Sequence, residues 1–103
     1  TRYMQRLFDY WSVIPDPLER VKFVLASYNS GIGHIDDARS LAEKYYADKN
    51  RWEDNVALFI LRKSQRKYYE DPVVKFGYCR GDEVYNYVRE ILQRYENYKQ
   101  FVN

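Results

Sequence analysis

Apolar residues recur at every third or fourth position through most of the chain, which is the spacing of one face of an α-helix. No stretch alternates apolar and polar residues as a half-buried strand does, and the hairpin dipeptides Asn-Gly and Asp-Gly are absent. The C-terminal end has the clearest pattern and predicts a helix with Asp82 as its N-cap. The expected apolar positions of this helix are Val84, Val88, Ile91, Tyr95, Tyr98 and Val102. The whole pattern predicts an all-α fold of about five helices.

Two helices are expected at the N-terminal end. The first covers residues 1–12 and ends before Pro15, because proline lacks a backbone donor and restricts the residue before it. Asp16 is placed to cap a second helix, which has Pro17 in its first turn and ends at residues 28–29. The apolar stripe expected on the first helix consists of Tyr3, Leu7, Phe8 and Trp11.

A third helix is expected to begin after Gly33, with Asp36 and Asp37 near its positive end, where the helix dipole favours carboxylates. A polar loop at 48–51 separates it from a fourth helix that opens near Trp52. The residues expected to face inward on the fourth helix are Val56, Phe59, Ile60 and Lys63. Between the fourth and the last helix the chain is rich in aromatic residues and lacks periodicity, so irregular structure is expected there.

Length and composition describe one small globular domain. The 103 residues are 46% hydrophobic and 31% charged, which is enough for a modest core. A net charge of +2 is too small for the concentrated basic face of a nucleic-acid-binding domain, so no nucleic-acid partner is expected. Cys79 is the single cysteine, which excludes an internal disulfide and a cysteine-based metal site. No run approaches the roughly 20 apolar residues that cross a bilayer.

The most informative segment is residues 26–34, which read Ala-Ser-Tyr-Asn-Ser-Gly-Ile-Gly-His. Helical sequence runs directly into it and then meets Gly31 and Gly33, a pair that ends one helix and allows a sharp turn into the next. The turn leaves the hydroxyl of Tyr28 and the amide of Asn29 beside a corner, where polar groups can face a cleft. A core tyrosine and a helix-capping asparagine explain the same pattern, so the residues alone leave both interpretations open.

A second informative segment, residues 77–88, reads Gly-Tyr-Cys-Arg-Gly-Asp-Glu-Val-Tyr-Asn-Tyr-Val. It predicts a turn between two glycines, followed by a helix start with Glu83 in the first turn. Tyr87 falls on or beside the apolar stripe, three residues after Val84, so core packing also accounts for it.

Together the two segments resemble signature motifs of lytic transglycosylases with the goose-type lysozyme-like fold, bacterial enzymes that cut the glycan strands of peptidoglycan. Residues 26–33 match an Ala-x-Tyr-Asn-x-Gly-x-Gly motif. Glu83 and Tyr87 match a Glu-Thr-x-x-Tyr-Val helix start, in which Val84 replaces the usual threonine. The Gly-His-x-x-Asp-Ala string at 33–38 looks closest to the membrane-bound type F branch.

The family's acid/base is a glutamate in a Glu-Ser motif, which is followed by a Gly-Leu-Met-Gln segment; both lie upstream of the Tyr-Asn motif. This chain contains neither string. The resemblance therefore implies that residues 1–103 are the C-terminal portion of a single lysozyme-like domain, without the segment that carries the catalytic glutamate. The start at Thr1 rather than methionine fits a piece of a longer protein, and on this interpretation the chain has no catalytic residue of its own.

For the parent enzyme the resemblance implies cleavage of the β-1,4 bond between N-acetylmuramic acid and N-acetylglucosamine, with formation of a 1,6-anhydro ring, in the bacterial envelope (periplasmic or outer-membrane associated). A carboxylic acid must protonate the leaving oxygen, so the isolated chain is expected to be inactive. The resemblance assigns Tyr28, Asn29 and Tyr87 to the cleft and Gly31 and Gly33 to the supporting turn. Peptidoglycan glycan strands are the expected partner, and no cofactor or metal is implied.

Two other functions stay open: a non-catalytic glycan-binding module and a helical protein-interaction module, the latter indicated by tyrosines along the last helix. Self-association of the fragment is a further expectation, because a missing helix would leave apolar surface uncovered. His34, Asp36 and Asp37 supply too few converging ligands for a closed metal site, and we interpret them as a helix N-terminus with carboxylates facing the dipole. The basic run at 62–69 is interpreted as a solvated helix end.

Overall fold

The chain folds into six α-helices in the computed structural model, which describes residues 1–102 and the side chains of residues 1–100. The helices are α1 (Arg2–Tyr10), α2 (Pro17–Ser30), α3 (Ile32–Lys44), α4 (Ala57–Arg62), α5 (Arg66–Tyr69) and α6 (Gly81–Val102). A 3₁₀ turn at Trp11–Val13 follows α1, and one turn of π-helix at Trp52–Val56 precedes α4. The described residues contain no strand, which confirms the predicted all-α class.

The start of α2 agrees with the sequence. Asp16 is its N-cap, and the Asp16 carboxylate accepts a hydrogen bond from the backbone N–H of Leu18 at 2.9 Å, with Pro17 in the first turn. The helix extends to Ser30, one residue past the predicted end, and stops at Gly31 with a φ of +95°. Residues with a Cβ rarely adopt that backbone conformation, so the corner between α2 and α3 depends on glycine.

α1 is shorter than predicted, and half of its expected stripe is exposed. It ends at Tyr10 and tightens into the 3₁₀ turn. Leu7 and Trp11 are fully buried, whereas Tyr3 and Phe8 are 45% and 37% exposed. The reason is that α1 packs mainly against α2, and a helix with one main neighbour buries only a narrow stripe.

α3 begins earlier than predicted. Its first residue is Ile32, so Gly33 lies inside the helix, and the prediction that α3 starts after Gly33 is wrong. Of the two glycines at the corner, Gly31 has the positive φ and Gly33 does not. A Cβ on Gly33 would lie 2.8 Å from the ring of Phe76, so the absence of a side chain there makes room for that ring.

The fourth predicted helix is present, but its start is irregular. Trp52 opens the π-helical turn, in which Glu53 and Asp54 leave helical geometry, and regular α4 begins at Ala57. The backbone N–H of Trp52 donates to the Glu19 carboxylate at 2.7 Å, so a side chain of α2 anchors this start. The four residues predicted to face inward are all buried: Val56, Phe59, Ile60 and Lys63.

The core is centred on aromatic residues of α2 and its neighbours. The Phe23 ring lies between two fully buried tryptophans, with its centroid 5.3 Å from that of Trp11 and 5.8 Å from that of Trp52. The indole N–H of Trp11 donates to the Ser27 hydroxyl at 2.8 Å, which satisfies the polar edge of an otherwise apolar ring. These contacts fix α2 against both the N-terminal segment and the start of α4.

α6 starts at Gly81, two residues before the first residue of the helix predicted with Asp82 as its N-cap, so Asp82 lies in its first turn and does not cap it. The apolar stripe of α6 is buried only in its N-terminal half. Val84 and Val88 lie in the core, whereas Tyr95 and Tyr98 are 57% and 64% exposed. The predicted stripe is therefore confirmed as a buried face only for Val84 and Val88, and its second half is exposed among the described residues.

The exposure follows from the length of α6. The helix has 22 residues, which corresponds to roughly 33 Å, and the structure measures 47 × 24 × 24 Å along its principal axes. The side chain of Val102, the last position of the predicted stripe, lies outside the described residues. Among the helices that the structure describes, none combines the length and the apolar character that crossing a bilayer requires.

The segment between α4 and α6 is mostly irregular, as predicted, and α5 is its one helical turn within the described residues. Gly77 turns the chain with a φ of +69°. The turn brings Cys79 back beside the end of α4, where its backbone N–H donates to the carbonyl of Lys63 at 3.4 Å. The segment thus leads the chain from α4 directly onto the start of α6.

Gly81 provides a test of how closely α6 packs on α4. A Cβ at this position would lie 1.8 Å from the carbonyl oxygen of Ile60 and 2.7 Å from the Cα of Leu61. Because both are backbone atoms, Gly81→Ala must push the two helices apart, and we expect the free energy of unfolding to fall by about 3 kcal/mol or more. Asn86→Ala, on an exposed position of α6, is the control and should change stability by less than about 0.5 kcal/mol. Urea denaturation measures both, and equal effects would contradict this packing.

Candidate functional site

A groove of about 300 Å³ lies between the corner that joins α2 to α3 and the start of α6. Residues of both informative segments line it. They are Asn29, Ser30 and His34 from the corner, and Tyr78, Cys79, Arg80, Glu83 and Val84 from the second segment. Two stretches that are far apart in sequence therefore shape one concave site.

Of the two polar residues predicted at the corner, Asn29 lines this groove and Tyr28 does not. Neighbouring residues on a helix point about 100° apart, so the two side chains diverge. The Tyr28 ring is 51% exposed and lies against Tyr3, with 5.9 Å between the ring centroids. Tyr28 is thus not sealed in the core, and its assignment to a cleft stays a prediction.

Tyr87 also lies outside the lining of the groove. It is half-buried and packs against the hydrophobic core, about one turn further along α6 than Glu83. Glu83 and Val84, which precede it in the same motif, do line the groove. The assignment of Tyr87 to the cleft therefore stays a prediction too.

A buried lysine connects the groove to the interior. Lys63 directly follows α4 and is fully buried. Its ammonium group donates to the Oδ2 atom of Asp37 and to the Nδ1 atom of His34, both at 2.8 Å. A charge at this depth is stable only with a hydrogen-bonded partner, because removal from water costs several kcal/mol.

The Asp37 carboxylate also holds the loop before α6 against α3. Its Oδ1 atom accepts from the backbone N–H of Lys75, and its Oδ2 atom accepts from that of Phe76, each at 2.8 Å. With the Lys63 ammonium, three donors surround the carboxylate. Among the described residues, no fully buried polar side-chain atom lacks a hydrogen-bond partner. The loop that continues to the groove is thus fixed by one side chain.

These contacts overturn two interpretations made from the sequence. Asp36 and Asp37 do not lie at the positive end of α3, because the helix begins at Ile32 and has no acidic residue in its first turn; Asp37 is 2% exposed and paired with Lys63. The basic run is not solvated throughout either: Arg66 is largely exposed, as expected, but Lys63 lies inside the protein. His34 lies in the first turn of α3, in agreement with its expected place at a helix N-terminus.

The surroundings of His34 favour a neutral imidazole. Partial burial and the positive charge of Lys63 lower the pKa of His34 from 6.5, and the Asp37 carboxylate opposes this only in part. A protonated ring would place two cations next to each other. Neutral His34 is therefore part of the hydrogen-bonded arrangement with Lys63.

Glu83 brings a carboxylate to the groove but is unsuited to act as a general acid. It is exposed, and its Oε1 atom lies 3.4 Å from the guanidinium of Arg80. A proton-donating carboxyl group needs surroundings that disfavour the charged form. Glu83 is not enclosed in this way, because it is open to solvent and lies beside Arg80.

The groove also has apolar lining. Val84 and Cys79 both line it, and both are buried at 2% and 6% exposure. Burial raises the pKa of the Cys79 thiol, so the thiol stays protonated at neutral pH. Cys79 is thus a packed side chain and contributes apolar surface.

A larger depression of about 470 Å³ lies on another side of α3, and neither informative segment lines it. Several of its polar and charged side chains are hydrogen-bonded within the protein. The Tyr10 hydroxyl donates to Asp36, which raises the pKa of Tyr10 to about 12. Arg39 donates to the carbonyl of Lys49 at 3.0 Å and to the side chain of Asn50 at 2.8 Å. The smaller groove is the better candidate because both motifs contribute to it.

The pairing of Lys63 with Asp37 was not predicted from the sequence. A signal was present, because Lys63 occupies an inward position of the fourth helix and a lysine on a buried face requires a carboxylate partner. Many acidic residues are available as partners, and spacing along the chain does not single out Asp37. The role of His34 beside this pair was missed for the same reason.

Comparison with known proteins identifies relatives over nearly the whole chain, although no family model matches it. A membrane-bound lytic murein transglycosylase F of Desulfosudis oleivorans is 39% identical over 98 residues, which is 95% of this chain and 21% of that protein. The protein of the same name from Photobacterium profundum is 44% identical over 90 residues, 84% of this chain and 17% of that protein. The protein of that name from Yersinia enterocolitica is 41% identical over 97 residues, which is 91% of this chain and 18% of that protein.

Over most of its length the chain is therefore similar to a portion of lytic murein transglycosylases, which confirms the resemblance indicated by the two segments. The relatives named above are of the membrane-bound F type, the branch that the string at 33–38 indicated. This chain spans about a fifth of the length of these curated relatives.

Removing the buried lysine tests the ion pair. Lys63→Met leaves the Asp37 carboxylate buried without its counter-ion, so we expect the free energy of unfolding to fall by about 3–5 kcal/mol. Arg66→Met removes the cation of an exposed pair with Glu70, at 3.0 Å, and is the matched control. Its effect should be much smaller, because solvent screens exposed charges. If urea denaturation gave similar losses for both variants, the interior pair would not have the importance assigned to it.

His34 should make stability depend on pH. Because its folded pKa lies below the unfolded value of 6.5, the stability that it contributes is complete above that value and decreases as pH falls towards the folded pKa. The charged groups around it are Lys63 and Asp37 inside and Arg80 and Glu83 in the groove. We expect the urea midpoint to fall between about pH 7 and pH 5, and to fall less in His34→Gln. Since His34 is the single histidine, parallel curves for the two proteins would exclude it as the cause.

Proposed function

We propose that this chain forms part of the glycan-binding cleft of a lytic transglycosylase that acts on peptidoglycan in the bacterial cell envelope. Residues 1–103 are then the C-terminal portion of one lysozyme-like catalytic domain. The intact protein cleaves the β-1,4 bond between N-acetylmuramic acid and N-acetylglucosamine and forms a 1,6-anhydro ring. Homology to proteins named membrane-bound lytic murein transglycosylase F supports both the enzyme class and the location.

The observation that carries the proposal is the meeting of the two motif segments at one groove. Asn29 comes from the corner after α2, and Glu83 comes from the first turn of α6. The Asn29 side chain is exposed and offers both a donor and an acceptor, which suits the hydroxyl and amide groups of a sugar. Polar groups around an apolar lining are typical of sites for small polar ligands.

The proposal assigns the acid/base glutamate to a segment that is not part of this sequence. The groove's own carboxylate, Glu83, is exposed and paired with Arg80, which is unsuitable for donating a proton. The chain alone is therefore inactive. In the intact domain the cleft extends beyond this groove: Tyr28 orients the glutamate or the sugar through its hydroxyl, Tyr87 lines the cleft outside the groove, and Gly31 maintains the corner.

Glycan binding by the chain itself tests the cleft. Chitotetraose titrated into the labelled chain should shift amide NMR signals around the groove. Asn29→Ala should weaken binding about three- to tenfold, the value of one lost hydrogen bond. Asn86→Ala, an exposed asparagine of α6 outside the groove lining, should leave affinity unchanged. Absence of binding, or equal effects of the two variants, would contradict the assignment of the groove.

Incubation with purified cell-wall sacculi tests the second half of the proposal. Without a proton donor the chain should release no soluble anhydromuropeptides. Their release would show that this chain contains its own acid/base, and would leave the glycan-binding assignment intact.

A second candidate function, self-association or helical protein interaction, is favoured by the exposed tyrosines of α6. Tyr95 and Tyr98 are 57% and 64% exposed, and no other described element covers that part of the helix. Sedimentation of the chain beside a Tyr95→Ser, Tyr98→Ser variant distinguishes this function. Concentration-dependent association that disappears in the variant would support it, and a monomer in both cases would exclude self-association.

A further inference from the structure

His34 lines the groove, and no function was predicted for it from the sequence. Its ring lies in the first turn of α3 and is half-buried. His34 lines the groove together with Asn29 and Glu83. It also contacts the buried ammonium group of Lys63, which lies 2.8 Å from the Nδ1 atom of the ring. The ring therefore links the charged interior to the groove.

The Lys63 contact determines which ring nitrogen carries the hydrogen. An ammonium group has three donors and no acceptor, and here one donor goes to the Asp37 carboxylate. Towards Lys63 the Nδ1 atom of His34 must therefore act as the acceptor. The neutral ring then carries its hydrogen on Nε2.

The Nε2–H group has no hydrogen-bond acceptor among the side chains and backbone of residues 1–100. Within residues 1–100, the hydrogen bond to Lys63 is the one that His34 makes, and it uses Nδ1. Every fully buried polar side-chain atom in that part of the chain has a partner, so an unpartnered Nε2 is accessible to solvent. His34 lines the groove, so a ligand bound there lies beside this ring.

The rest of the lining indicates what the donor binds. Val84 and Cys79 supply apolar surface, and Asn29 supplies an amide. A donor next to apolar surface suits a group that combines a carbonyl oxygen with a methyl group. The acetamido substituent of an N-acetylated sugar has this combination, whereas a plain hydroxyl does not.

We infer that His34 is a ligand-binding residue whose Nε2–H donates to the carbonyl oxygen of a sugar acetamido group, with the methyl group against Val84 and Cys79. This inference rests on the proposed glycan-binding function and specifies its ligand contact. Lys63 acts as a positioning residue, since it fixes the orientation and the hydrogen of the ring without reaching the ligand.

The state of the ring can be measured without any variant. His34 is the single histidine, so its two ring nitrogens give unambiguous signals in a long-range ¹H–¹⁵N NMR spectrum. At neutral pH the spectrum should show the hydrogen on Nε2. Addition of chitotetraose should shift the Nε2–H signal more than the Nδ1 signal. A hydrogen on Nδ1 would overturn the inference, and so would ring signals that do not shift when chitotetraose is added.

Two variants and two neutral ligands test the contact itself. Chitotetraose carries acetamido groups, whereas cellotetraose has the same β-1,4 backbone with hydroxyl groups instead. The chain should bind chitotetraose about tenfold more tightly, the value of one hydrogen bond and a buried methyl. His34→Phe keeps a ring without the donor and should lose this preference. His34→Gln keeps an N–H donor of similar reach and should retain most of it. Circular dichroism verifies that both variants fold.

The outcomes separate the inference from the function on which it rests. If the chain binds neither oligosaccharide, both the proposed function and the inference fail. If it binds both ligands equally, or if His34→Phe keeps the preference for chitotetraose, glycan binding stands and the inference alone is wrong. A preference lost in His34→Phe and retained in His34→Gln supports it.

Discussion

The ion pair between Lys63 and Asp37 is the interaction on which the arrangement of this chain depends. Two charges removed from water are tolerable only when close geometry and additional hydrogen bonds offset the cost of desolvation. Asp37 meets this condition with three donors, from Lys63, Lys75 and Phe76. The donors come from the end of α4 and from the loop before α6, so one carboxylate of α3 brings three parts of the chain into a fixed relation.

The shape of the groove depends on the contacts that Lys63 makes in the interior. The carbonyl of Lys63 accepts from the backbone of Cys79, and the side chain of Lys63 contacts His34. Both of these partners line the groove. Close contact of Gly81 with the backbone of Ile60 then sets where α6 begins. Groove residues from distant parts of the sequence are thus positioned by backbone and buried polar contacts that themselves need not touch a ligand.

Local sequence signals predicted what depends on neighbours in the chain. The cap at Asp16, the inward face of α4 and the corner at Gly31 each follow from a few adjacent residues, and the structure has all three. Contacts across the fold were not predictable in this way. Gly33 leaves room for the ring of Phe76. No local pattern predicts a contact between residues so far apart in sequence.

The candidate site shows the same division. The sequence singled out Asn29, and the structure places it in the groove, but periodicity cannot say that Tyr28 points elsewhere until the neighbours of α2 are known. Likewise, the apolar stripe of α6 was visible in the sequence, whereas the burial of only its first half depends on how far the other helices extend. His34 became a candidate only through Lys63, its partner from α4.

The placement of the two indoles has an optical consequence. Trp11 and Trp52 are at most 1% exposed and sit on either side of Phe23, away from the groove lining. Their emission should be blue-shifted in the native chain and should move to longer wavelength when the core opens to water. A saccharide bound in the groove would leave that emission unchanged. Tryptophan fluorescence therefore reports whether the core is folded and does not report whether the groove contains a ligand.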